Sequence, residues 1–556
     1  MTADMRRRQI ERNKKHRKEN QVMKKFLSIL LVLTLVLALS ISTFAAENTT
    51  LTINDSDGRT YEGHQILKLT TSLKGDAHHP DTCNGVDHTD DCYNYAYTVN
   101  ETYREILQKE TFENGRNAIW GDSKPATFAG VTDAQILEYL EGQTPGDGTM
   151  RQVANRIYRA IQEAGIAADA EDLTGSNDVI EQGYWMFADI SDLTGNESNS
   201  LVMVDTAGQE AVTITPKTAL PTVEKKVKDI DDSEDDSITD NAWHDSADHD
   251  LGDTVPFKLT ATLPSNAQNY TTYTIIFHDT LSAGLTLNEG SFKVLMYETK
   301  HKADVDTDLN DQLKDVTANF TVDTGCDDGC SFEVYCDDVF AIENVTKDTA
   351  FVVYYEATLT DAAVFGGNGN PNEVYLEFSN DPYGDGTGNT ETDKVTVFTY
   401  KLVINKTDSH GHELDGAGFT LYKKDVTGTY NALGGELIGD GMTTFTWLGL
   451  DDGDYKLVES TVPDGYNVMS DVLFSISAEH SETDGEPTLL SLDGGQIGTG
   501  DITIGAIEKD IVNNTGAVLP ETGAQGTFLL ICGGAFLMIV AAVFMVTRKK
   551  MSIFED

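Results

Sequence analysis

Positive charge is scarce in this 556-residue chain: 40 lysines and arginines stand against 91 aspartates and glutamates, a formal net charge of -51 at pH 7. Such a surface repels phosphate backbones and anionic lipid headgroups, so nucleic acid is excluded as a partner. Signatures of hydrolytic catalysis are missing too. There is no Gly-x-Ser-x-Gly elbow, no His-Glu-x-x-His pair and no convincing catalytic pair, and a hydrolase is therefore not expected. The acid-rich runs, "NDSDG" from Asn54 and "DPYGDGTG" from Asp381 among them, lack the full spacing of an EF-hand loop and read as solvated loops. No metal and no cofactor are expected.

Cysteine is also sparse, with six in all. In a secreted chain Cys83 and Cys92 are the candidates for a short-loop disulfide, and of Cys326, Cys330 and Cys336 one is left over. His78, His79 and His88 stand beside the first pair, but their spacings match no zinc motif.

What basic charge exists gathers at the two ends. "MKKFLSILLVLTLVLALSISTFAAE", from Met23, has a basic start, an apolar centre and small residues before a cut at Ala45 or Ala46, the pattern of a secretory signal. Residues 1–22 form a basic extension ahead of it. At the other end Phe528 to Val546 is nearly pure apolar and is followed by Arg548, Lys549 and Lys550. At ~1.5 Å per residue that run is long enough to cross a ~30 Å hydrocarbon core, with the basic tail inside.

Between the ends three textures alternate. Met150, Val153, Ile157 and Ile161 keep helical spacing, which places an amphipathic helix on a β-containing first domain, 46–217. From 218 to 400 short alternating runs such as "TVPFKLTATL" and "TAFVVYYEATL" predict an antiparallel sandwich. A second, shorter sandwich is expected over 401–516, and 517–556 is the tail. The fold class is thus mainly β: tandem immunoglobulin-like β-sandwiches behind an N-terminal α+β domain, with apolar helices at both ends.

Leu519-Pro520-Glu521-Thr522-Gly523, then the apolar span, then the basic tail resembles the cell-wall sorting signal of Gram-positive surface proteins. The resemblance implies that a sortase cleaves between Thr522 and Gly523 and passes the Thr522 carbonyl to an amine. Pro520 suits such reading because it fixes φ and holds an extended, kinked strand. "TPKT", with Lys217 after Thr-Pro, resembles the pilin motif of backbone pilins, in which a lysine accepts that carbonyl from the next subunit. Here Thr215 and Thr218 replace the usual tyrosine and asparagine, and no internal cross-link is assigned to the first domain.

The last domain resembles the SpaA-like, collagen-adhesin B-type fold through "INKTDSHGHELDGAGFTLYKKD" and "YKLVESTVPDGY". The family's isopeptide-forming lysine, glutamate and asparagine fall on Lys406, Glu459 and Asn513. Asn514 is the register alternative, although alternation from Ile511 favours Asn513. The middle domain resembles the collagen-adhesin A-type pilin domain, and "PTVEKKV" and "IIFHDTL" point to Lys225 and Asp279. Asn372 and Asn380 have the same strand parity; Asn372 is preferred because related asparagines tend to open the last core strand. Burial would favour a neutral lysine and a protonated acid, the forms such a reaction uses.

These resemblances imply a structural, non-enzymatic major pilin, secreted and covalently wall-anchored after a transient membrane stage. Its implied partners are a class C pilin sortase, a housekeeping sortase, further copies of itself, minor pilins, peptidoglycan and a host surface ligand. The alternative is a singly wall-anchored adhesin that binds a host ligand through its first domain.

Overall fold

The computed structural model describes residues 48–54, 58–73, 93–108, 132–143, 149–175, 177–193, 195–216, 218–230, 242–481, 487–515 and 524–551. The signal sequence, Cys83 and Cys92, Lys217 and the pentapeptide Leu519 to Gly523 lie outside them. The chain divides into two units; the first takes 1–219 with the short segments Asn266–Thr271 and Ser379–Gly388, and the second takes the rest.

In the first unit the strand Asn48–Ile53 runs antiparallel to Asp178–Glu181 and parallel to Ala211–Ile214. A larger sheet orders Tyr93–Val99, Tyr61–Leu73, Gly183–Asp189 and Leu201–Asp205. The expected helix forms over Thr149–Ala164. Its stripe of Met150, Val153, Ile157 and Ile161 is buried against Tyr103 and Met186, because residues three and four apart share a helix face. The helix stops at Gly165, whose φ of +61° favours glycine, and Ile166 N–H reaches back to the Ile161 carbonyl at 3.1 Å, closing the last turn.

In the second unit the middle sandwich has two sheets. One orders Trp243–His244, Thr222–Lys228, Thr254–Thr262, Ala350–Leu359, Lys293–Tyr297 and Lys314–Asp315; the other orders Ser246–Asp248, Asp393–Phe398, Asn370–Ser379, Ile275–Leu281, Phe332–Cys336 and Thr321–Asp323. The strand Asn370–Ser379 alternates strictly between buried and half-buried residues, the sign of one face on a core. It is not the last core strand, which is Asp393–Phe398, paired antiparallel to it. The expectation that Asn372 opens the last strand fails because the chain leaves this sheet after Ser379 and returns.

Only Thr399 separates Asp393–Phe398 from Tyr400–Asp408, the first strand of the next sandwich. Thr399 is fully buried, and its hydroxyl donates to the Leu450 carbonyl at 3.3 Å. Tyr400–Asp408 sits between Thr444–Leu450 and the final strand Ala506–Asn513, running parallel to the latter. The opposing sheet is built on Gly418–Lys424, Gly453–Thr461, Val472–His480 and Leu489–Asp493. Phe419, Phe445, Tyr455 and Leu457 fill the space between the two layers.

A C-terminal helix covers Ala524–Met551, 28 residues. Among the described residues no helix is long and apolar enough to cross a membrane; the side chains described in this helix run only from Leu530 to Met545. Those between Phe536 and Val540 are exposed.

Two buried lysine, acid and asparagine clusters

Lys225, Asp279 and Asn372 arrive from three strands of the middle sandwich. Lys225 lies in one sheet, paired with Leu259. Asp279 and Asn372 lie on adjacent strands of the facing sheet, with Asp279 opposite Val374 and Leu281 opposite Asn372. All three side chains point into the sandwich and are completely buried. The Lys225 amine donates to Asp279 Oδ2 and, at 3.0 Å, to the hydroxyl of Tyr355. That hydroxyl donates to Asp279 at 3.0 Å and accepts from Asn372 Nδ2 at 2.6 Å. One tyrosine therefore touches all three groups with its single donor and both lone pairs in use.

The surroundings are aromatic. The Lys225 amine lies over the rings of Phe257 and Tyr355, 5.6 and 5.5 Å from their centroids, and Phe332 packs edge-on against Tyr355. Burial pulls the Lys225 amine down to about 8, against the opposing pull of the Asp279 charge. Burial likewise pushes the Asp279 carboxyl up, although Lys225 opposes it, and pushes the Tyr355 phenol well up. Each shift favours the uncharged form. Asn372 Oδ1 is buried with no hydrogen-bond partner among the described residues.

The second cluster has the same elements in another geometry. Lys406 lies on the first strand of the last sandwich and Asn513 on the final one, in neighbouring register because Lys406 pairs with Ile511 and Asp408 with Asn513. Glu459 faces them from the opposite sheet. Asn513 Nδ2 donates to Glu459 Oε1 at 2.7 Å, and Glu459 Oε2 accepts the Met469 N–H at 3.0 Å. The Lys406 amine donates to the carbonyls of Thr407 and Ile511 at 2.9 and 3.2 Å. Burial lowers the lysine, opposed by the charge of Glu459. Asn513 Oδ1, like Asn372 Oδ1, is buried without a hydrogen-bond partner among the described residues.

The two asparagine alternatives separate by position. Asn514 is exposed, and its carbonyl accepts the Asn467 N–H at 3.1 Å. Asn380 is buried, but in the segment Ser379–Gly388 of the first unit, where its carbonyl accepts the Asn199 N–H at 2.9 Å. Of the later cysteines, Cys326 bonds to Cys330, and Cys336 is unpaired among the described residues. Tyr355 was missed in the sequence. Its inward parity in "AFVVYYEATL" marks it as core, and nothing in that pattern says its hydroxyl meets an acid and an amide.

Residues 400–487 match the family described as the SpaA prealbumin-like fold domain, and residues 511–552 match the LPXTG cell wall anchor motif. The trypsin-resistant surface T6 protein of Streptococcus pyogenes serotype M6 is 24% identical over 407 residues, 60% of this chain and 70% of that protein. The solved T6 backbone pilin of the same serotype is 18% identical with a TM-score of 0.48, covering 86% of this chain and 100% of that one. The major pilin SpaD of Corynebacterium diphtheriae is 14% identical with a TM-score of 0.38, covering 86% of this chain and 99% of that one. The anchor motif places this chain on the cell surface, attached to the wall.

Proposed function

We propose that this wall-anchored surface protein is the backbone subunit of a sortase-assembled pilus, in which the Thr522 carbonyl of one copy is joined to the Lys217 amine of the next. Each of its two sandwiches closes an internal lysine–asparagine isopeptide bond, Lys225 to Asn372 and Lys406 to Asn513. The observation that carries this reading is the repeated pattern: in two successive sandwiches a buried lysine, a buried acid and a buried asparagine with an unpartnered carbonyl oxygen converge. The anchor motif and the similarity to the T6 surface protein support it.

The reaction balances without an outside reagent. The neutral lysine Nζ attacks the asparagine Cγ, and the carboxyl group beside it carries the proton transfers. The new C–N bond forms as the Cγ–Nδ2 bond breaks. The proton released by the amine is relayed by the carboxyl to the leaving nitrogen, which departs as ammonia. In the middle sandwich Asp279 serves as the acid and Tyr355 as a positioning residue; in the last sandwich Glu459 serves as the acid. This is one event per molecule, not turnover.

Assembly draws on a pilin sortase of class C for polymerisation and a housekeeping sortase for attachment to peptidoglycan, with minor pilins as further partners. Lys217 decides the test. Cells carrying the native chain are expected to display a high-mass, SDS-resistant ladder, and Lys217→Ala is expected to collapse it to monomer. A ladder that survives Lys217→Ala removes Lys217 as the acceptor. A native chain that gives only monomer makes this a singly anchored adhesin.

A further inference from the structure

On the outer face of the middle sandwich, next in sequence to Asp279, stands a histidine that neither cluster uses. His278 is 6% exposed, its ring stacked on Tyr375 with centroids 4.5 Å apart and planes 7° from parallel. Its Nε2 meets Glu377 Oε2 at 3.2 Å. Its Nδ1 faces Asp328 Oδ2 at 3.0 Å and Glu333 Oε1 at 3.5 Å, yet this buried nitrogen makes no hydrogen bond among the described residues. We propose that His278 Nδ1, Asp328 and Glu333 form a binding site for a divalent transition ion, zinc in the first instance.

Three features support a cation there. Glu377 can accept an Nε2 proton, leaving the Nδ1 lone pair free, and a carboxylate behind the imidazole is the usual support of a metal-bound histidine. Tetrahedral zinc with bonds of ~2.0–2.1 Å sets its ligand atoms ~3.3 Å apart, and the two distances from Nδ1 fall on either side of that. All the donor atoms, with the sulfur of Cys330, lie within 4.8 Å of one another.

One nitrogen with two carboxylate oxygens suits zinc better than calcium or magnesium, which favour all-oxygen sets. Asp328 is fixed locally: Oδ1 accepts the Cys330 N–H at 3.0 Å and Oδ2 the Tyr375 hydroxyl at 2.8 Å. The Cys326–Cys330 bond closes the loop that carries it. With its sulfur held in that bond, Cys330 is not counted as a ligand, so a fourth position is left to water.

The ligands come from three places in the sequence and have no recognisable spacing. Asp328 is 38% exposed at its side chain, which gives the ion a way in.

The test is zinc titration of the purified, chelator-stripped full chain in detergent, read against a chromophoric competitor. Asp408, His410 and His412 form a separate exposed group, so His410→Gln/His412→Gln serves as the background. In that background the native site is expected to take one equivalent of Zn2+ that is lost in His278→Gln and in Asp328→Asn. Glu377→Gln is expected to keep the stoichiometry and weaken binding about 10–100-fold. Asp328 lies at the surface, so Asp328→Asn answers the question if His278→Gln fails to fold. Equal zinc stoichiometry and affinity in the background protein and Asp328→Asn would overturn the proposal.

Discussion

The Tyr355 hydroxyl accepts a hydrogen bond from the Asn372 amide at 2.6 Å while donating to Asp279 at 3.0 Å. It fixes the asparagine relative to the acid without being consumed by any reaction. Tyr355→Phe keeps the ring and removes this link, leaving a buried amide and a buried carboxyl short of a partner at about 1–3 kcal/mol. The expected outcome is slow or incomplete closure of the middle-domain bond, read by intact mass over hours after purification. Closure as fast as in the native chain would assign the hydroxyl no positioning part.

Intact mass also counts the bonds. With disulfides reduced, the purified span Glu47 to Thr522 is expected about 34 Da lighter than its sequence, about 17 Da for each ammonia released on amide transfer to a lysine. Asn372→Ala and Asn513→Ala should each abolish one of the two losses, and Asn380→Ala and Asn514→Ala neither. An unshifted native mass would rule out both bonds.

Stability against pH probes Lys225 once the bond cannot form. In Asn372→Ala the buried amine titrates near 8 when folded and near ~10.4 when unfolded. Between those values the unfolded chain binds more protons, so stability must rise with pH. Below about pH 8 the full cost of burying the charge is present. The unfolding free energy of Asn372→Ala relative to Asn372→Ala/Lys225→Met should therefore increase from pH 8 to 10.5, measured by denaturant titration. A flat difference would mean that the amine is not shifted.

Gly505 offers a packing test. Its φ is +58°, and an added Cβ would stand 2.3 Å from the backbone nitrogen of Gly366. Gly505→Ala should cost on the order of 1–3 kcal/mol through backbone strain and contact. Gly428→Ala, with φ +82° and nothing within 4 Å, carries the strain alone and should cost less. Thermal unfolding of the two variants compares them.

Much of this architecture was legible because strands alternate. Parity set Lys225 inward with Val227, and it separated Asn513 from Asn514. It could not separate Asn372 from Asn380, eight residues apart with equal parity. What distinguishes them is that the chain quits the sheet after Ser379, and a turn of that kind leaves no mark on a period of two.

The Cys326–Cys330 pairing was ambiguous for a related reason, since three nearby cysteines permit several pairings. Tyr355 and His278 were hidden more deeply. A tyrosine and a histidine on a strand read as core and surface, and their partners lie tens of residues away in sequence. Such groups become visible only when register brings the strands together.

The single residue Thr399 has a mechanical meaning. Between Phe398 and Tyr400 there is no coil to straighten, so tension entering one sandwich reaches the next within one peptide unit. A fibre made of such units would be stiff from its first small extension at this junction, with no slack to take up. The same burial leaves no accessible peptide bond there for a protease to grip.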